Sequence, residues 1–111
     1  MAVQVIMNQQ KGPLPLKATF SSPSSAPMYL EVTGSVWTTT ANQLIGIAVQ
    51  LDGAGIGSAQ VFSNTASTHR PVVPTYLLVK LDQGQHTVTL GPATAPTTSD
   101  FNDFYTVTLH Y

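Results

Sequence analysis

The side chains able to do chemistry are three histidines, His69, His86 and His110, and five carboxylates, Glu31, Asp52, Asp82, Asp100 and Asp103. No His-x-Glu, His-x-His or HExxH spacing sets two metal ligands on one face, and no G-x-S-x-G elbow presents a serine nucleophile. A glycine-rich phosphate cradle needs a helix behind it, and no helical periodicity follows any glycine here. Asp52 and Asp82 sit in turn sequences, which accounts for both. His86 follows a turn, and His110 takes the polar parity of the last strand, so both are expected at the surface. Asp100 and Asp103 could chelate a hard cation with loop carbonyls. Calcium, however, usually takes about 6–8 oxygens, and this stretch is thinner in ligands than that. No catalytic residue, metal or cofactor is assigned, and the chain is not expected to be an enzyme.

Recognition is better served. The stretch Val61–Arg70 holds the only arginine among short polar side chains, Asn64, Ser67 and Thr68 included. A planar donor fork beside hydroxyls suits a neutral polyol. The same arginine would also serve to hold a carboxylate or carbonyl of another subunit. Trp37, the only tryptophan, ends a strand at a Thr-rich loop. It is either a platform for the apolar face of a sugar ring or a core residue at the end of a sandwich. Phe101, Phe104 and Tyr105 read as packing.

Composition narrows the partners. Charged residues are 8% of the 111-residue chain, with 4 Lys plus Arg against 5 Asp plus Glu. That cannot supply the basic patch for phosphate-backbone or anionic-lipid binding, so neither nucleic acid nor a lipid surface is an expected partner. No stretch nears the ~18 apolar residues of a membrane span. The first residues lack the positive region and apolar run of a signal peptide, consistent with a cytoplasmic or separately exported product. Cysteine is absent, which excludes disulfides, thiolate metal sites and a cysteine nucleophile.

These residues must be positioned by strands. Hydrophobic residues make up 42% of the chain, enough for one packed domain over 1–111. Thr and Ser supply about a fifth of it, and 8 Gly and 8 Pro punctuate turns. Period two dominates. Val3, Val5 and Met7 alternate with Ala2, Gln4 and Ile6; Leu16 to Phe20 follows a Pro-containing break. Tyr29 to Trp37 places Leu30 and Val32 on one face, with Gly34 marking a bulge or a close backbone approach. Ile45, Ile47, Val49 and Leu51 lead into Asp52-Gly53, a hairpin turn with Ile56 to Phe62 as the partner strand. Tyr76 to Leu81 reads as joined by a hairpin turn at Asp82–Gln85 to His86–Leu90. Tyr105, Val107, Leu109 and Tyr111 alternate in the last strand. About eight strands in this length predict an all-β, antiparallel jelly-roll sandwich.

The order Asp52-Gly53, Ile56-Gly57, Phe62-x-Asn64, Ser67-Thr68-His69-Arg70, Gly84-x-His86-Thr87-Val88-Thr89-Leu90 and a Tyr-rich last strand resembles small tumour-necrosis-factor-like (TNF-like) jelly rolls. Among these it is most similar to the bacterial fucose-binding lectin domains, over roughly 29–111. The resemblance implies a tight homotrimer that binds sugar between neighbouring subunits, with Ser67, Thr68 and Arg70 on the hydroxyls. The family's sites also use tyrosines and a second arginine from the adjoining subunit. This chain has no second arginine, and Asn64 stands near where an aromatic is expected.

The resulting expectation is a non-catalytic, lectin-like module for a glycan, fucosylated on the family's pattern, acting as a homotrimer. Arg70, Ser67 and Thr68 would hold hydroxyls, with Asn64 beside them and Trp37 or His69 packed on the ring. The alternative is a structural protein, such as the trimeric head or tip of a virion or fibre, with Arg70 and the aromatics as interface groups. A signalling ligand of the TNF type is a third reading, because fold does not fix function.

Overall fold

The computed structural model describes residues 2–111. Nine strands form in chain order: β1 Val3–Lys11, β2 Leu16–Ser22, β3 Met28–Val36, β4 Gln43–Leu51, β5 Ala54–Ser63, β6 Arg70–Pro71, β7 Thr75–Val79, β8 Gly84–Pro92 and β9 Phe104–His110. Among the described residues there is no helix, and so none long and apolar enough to cross a membrane. One sheet has the order β1-β9-β3-β6 with β7 also on β3; the other is β2-β8-β4-β5. Every pairing is antiparallel. The chain crosses repeatedly between the two sheets, so the apolar parity of each strand meets that of the opposite sheet in a jelly-roll sandwich.

The alternating residues become the core. Leu30, Val32, Ile45, Ile47, Val88, Leu90, Val107 and Leu109 are sealed from solvent, and each such side chain is worth about 1.5–3 kcal/mol of burial. The Asp52-Gly53 turn takes the paired positive φ values of a tight hairpin, 51° and 84°. Gly34 is a close approach: a Cβ there would lie 2.5 Å from Cδ1 of Tyr105 and 2.9 Å from the Phe104 carbonyl oxygen.

Three features depart from the sequence pattern. Val3, Val5 and Met7 do not share a face. Val5 pairs with Thr108 and Met7 with Val107, so one extra residue shifts the register between them. The bulge reverses the parity, leaving Val3 and Val5 exposed and Met7 in the core. Asp82–Gln85 is not a hairpin turn but a crossing between sheets, because β7 pairs with β3 while β8 pairs with β2 and β4. Of the three aromatics read as packing, only Tyr105 is buried; Phe101 and Phe104 are exposed.

Candidate functional site at one end of the sandwich

Three separate stretches of chain meet where β3 ends. β6 pairs Arg70 with Val36, which brings the preceding loop back over the end of β3. The Ser67 amide donates to the Thr38 carbonyl at 2.7 Å, and Ser67 takes a positive φ of 59° to make that return. Trp37 and Thr98 exchange backbone hydrogen bonds of 2.9 and 2.8 Å, which docks the 93–103 connection alongside. The candidate residues Trp37, Asn64, Ser67, Thr68, His69 and Arg70 therefore share one neighbourhood.

Within it they divide into two groups. Arg70 turns one guanidinium nitrogen to Asn64 Oδ1 and Thr65 Oγ1, each at 3.1 Å, while its Nε is buried without a partner. Thr68 donates to the Ala66 carbonyl at 3.3 Å. Residues 64–69 are all exposed, and the described residues enclose no pocket.

His69 faces the other way. Its ring packs on Trp37 at 5.7 Å between centroids. Trp37 is consequently half-buried, with its indole Nε1 sealed and unpartnered. His69 Nδ1 lies 2.7 Å from Asp103 Oδ1, and Nε2 lies 3.8 Å from Asp100 Oδ2. Asp103 is completely buried. It accepts from the Ser35 hydroxyl at 2.6 Å and the Asp100 amide at 2.9 Å, and its own carbonyl receives the Gly12 amide at 2.9 Å. Ser35 and the Asp100 amide both donate to this group, so Asp103 serves as an acceptor beside His69 Nδ1, and Nε2 is the ring nitrogen turned to Asp100. Tyr105 is buried beside this cluster, close to Ser99. Burial first, and the charge of Asp103 next, hold that phenol well above its ordinary range.

The pair Asp100 and Asp103 was visible in the sequence as a possible chelate; its histidine was not. His69 is 34 residues from Asp103, and only the pairing of β6 with β3 brings them together. Ser35, which fixes the carboxylate, gave no sequence signal beyond its place in a strand. The other two histidines are also paired, His86 with Asp52 and His110 with Glu31.

No family model and no curated protein matches this chain. Solved structures do resemble it. Dimeric latent PorU from Porphyromonas gingivalis aligns with a TM-score of 0.60 and 8% identity, over 97% of this chain and 12% of that one. This chain thus spans about an eighth of the length of PorU. The CBM36-1 domain of a multidomain xylanase from the hindgut metagenome of Trinervitermes trinervoides gives a TM-score of 0.51 at 10% identity, over 99% of this chain and 98% of that one. A family 35 carbohydrate-binding module from Clostridium thermocellum gives 0.48 at 9% identity, over 96% and 86%. The fold is that of a jelly-roll β-sandwich, and the CBM36-1 domain, matched over nearly its whole length, shares it.

Proposed function

We propose that the chain is a non-catalytic carbohydrate-binding module, with the loop 64–70 as its ligand face. The observation that carries this reading is the exposed loop itself, whose only arginine is braced by Asn64 and Thr65 beside the hydroxyls of Ser67 and Thr68. A braced fork loses little freedom when it binds a diol, while Ser67 and Thr68 complete the donor and acceptor set. The half-buried Trp37 serves by supporting His69, and Phe101, 71% exposed at the same end, offers a ring for the apolar side of a sugar.

The module acts as a homotrimer with its sites between subunits, and fucosylated glycans are its first candidate ligands, as in the TNF-like lectins it resembles. Support for association comes from the outer face of the five-stranded sheet. Val3, His110, Tyr29 and Leu78 form one cross-strand row, and Val5, Thr108, Glu31 and Tyr76 the next. Five of these eight are apolar or aromatic residues more than half exposed. They form a contiguous exposed apolar patch of the kind that marks an association surface. Two polar groups of the face, His110 Nε2 and Glu31 Oε1, lie 2.8 Å apart and are satisfied by one another within the chain.

The test is a glycan-array screen with the oligomeric mass measured on the same sample. A trimer that selects particular glycans, and loses them on Arg70→Ala without losing mass, supports the reading. A trimer blind to every glycan turns it toward a structural head or tip domain, and unchanged retention by Arg70→Ala removes the loop from the site.

A further inference from the structure

The His69 cluster has features that sugar binding does not require. A fully buried carboxylate, itself fixed by Ser35 and the Asp100 amide, holds the imidazole by Nδ1. That leaves Nε2 facing outward, 3.8 Å from the partly exposed Asp100 Oδ2. A carboxylate that fixes the tautomer and orientation of a histidine, with the far nitrogen free, is the arrangement that supports metal-ligating imidazoles. Two carboxylates stand together here, and among the described residues neither pairs with a lysine or arginine. The one nearby arginine is turned to Asn64 and Thr65. The ligand atoms of His69, Asp100 and Asp103 all lie within 4.8 Å of one another, close enough for one ion.

We propose that His69 Nε2 and Asp100 Oδ2 bind a divalent transition-metal ion of the zinc type, with Asp103 as the residue that positions the imidazole. Ligand atoms about 2.0–2.1 Å from zinc at a tetrahedral angle stand about 3.4 Å apart. The observed 3.8 Å therefore closes by a small rotation of Asp100, whose side chain is 38% exposed. The remaining positions fall to water, or to an oxygen or nitrogen ligand brought by another molecule. Imidazole as a ligand selects zinc, copper or nickel over calcium and magnesium, which prefer oxygen alone. The ion neutralises the paired carboxylates and ties the 97–103 connection to the loop 64–70.

The experiment is a zinc titration of the full chain that follows the ring nitrogens of all three histidines by NMR. One equivalent of zinc should move His69 Nε2 and leave His86 and His110 in place, while calcium at the same concentration moves none. Asp100→Asn is the discriminating variant, because an amide oxygen can still accept the 2.8 Å bond from the Asn102 amide and so keep the turn. Asp100→Asn and His69→Gln should each weaken zinc uptake at least about tenfold. Asp103→Asn should weaken it about 10–100-fold and broaden the His69 ring signals in the zinc-free protein. His69 signals unmoved at millimolar zinc, or Asp100→Asn binding as tightly as the parent chain, would overturn the site. Both readouts are independent of glycan binding, so this site and the loop's sugar reading fail separately.

Discussion

His86 and Asp52 are joined across two connections of the chain: the imidazole Nδ1 lies 2.6 Å from Asp52 Oδ2, and its Nε2 lies 2.6 Å from the Asp82 carbonyl oxygen. Both partners are acceptors, so both ring nitrogens must donate and the ring is an imidazolium. Asp52 also accepts the Thr87 amide at 2.9 Å. The β4–β5 turn is thereby clasped to the crossing that leads into β8.

This clasp gives the stability a defined pH dependence. The bond to Asp52, then that to the Asp82 carbonyl, raises His86 above its ordinary 6.5. The His86 bond, then the Thr87 amide, lowers Asp52 below its ordinary 3.8. For His86 the stabilisation is complete below 6.5 and is lost as pH climbs through the folded value. For Asp52 it is complete above 3.8 and is lost as pH falls through the folded value. The pair therefore contributes most between about pH 4 and 6.5. Asp52 is half exposed, which limits the gain to at most about 1 kcal/mol, or about 4 °C in Tm. The Tm difference between the parent chain and His86→Gln should peak near pH 5–6 and shrink by pH 9; a difference flat with pH would rule the clasp out.

Gly34→Ala should destabilise the sandwich by about 1–3 kcal/mol. The added methyl meets the Phe104 backbone and the Tyr105 ring, and a ring sealed in the core has nowhere to turn. Urea unfolding should show a lower midpoint with an unchanged slope.

Leu30→Ala, at a position with no solvent exposure between β7 and β9, should cost about 2–5 kcal/mol through lost burial and the cavity left behind. Thr19, on β2 beside Thr87, lies on a hydroxyl-rich outer surface, and Thr19→Ala should change stability by less than about 0.5 kcal/mol. Equal effects in the two variants would contradict the assigned faces.

Leu78→Glu tests the apolar outer face. The side chain is 65% exposed, so the change costs the folded subunit little, yet it places a charge on the β7 side of this apolar face. Light scattering should show the assembly falling to subunit mass with its melting profile otherwise retained. A full-size assembly would move the seam elsewhere.

Arg70→Lys separates a fork from a point charge. An ammonium cannot bridge Asn64 Oδ1 and Thr65 Oγ1 while presenting a flat donor pair outward. Glycan retention should fall at least about tenfold, with unfolding shifted by under about 0.5 kcal/mol.

The strands were legible because period two survives wherever a strand has one buried side, as in Ile45 to Leu51 and Tyr105 to Leu109. The Asp52-Gly53 turn was legible because few dipeptides tolerate two positive φ values. The parity of Val3 and Val5 was not, since a bulge inserts a residue without changing the apolar alternation. The crossing at Asp82–Gln85 looked like a hairpin because a short polar link with a glycine serves either purpose, and only the destination of β8 tells them apart. At the candidate site, the 64–70 loop stood out by its arginine and hydroxyls. Pairings such as His69 with Asp103 and His86 with Asp52 each span 34 residues, and they arise from sheet order rather than from spacing.

The irregularity in β1 has a further effect. β1 is the last strand on its side of the five-stranded sheet, and a regular border strand is a template on which another chain can zip. Here the register breaks between Val5 and Met7 and again between Met7 and Gln10. Gln9 turns to a positive φ of 49°, and its amide goes to Thr106 Oγ1 at 3.1 Å. A ladder begun along this border would run out of matched donors and acceptors within a few residues. A chain this poor in charge has little electrostatic repulsion to keep its copies apart. The kinked border makes β1 a poor template for edge-to-edge pairing between copies.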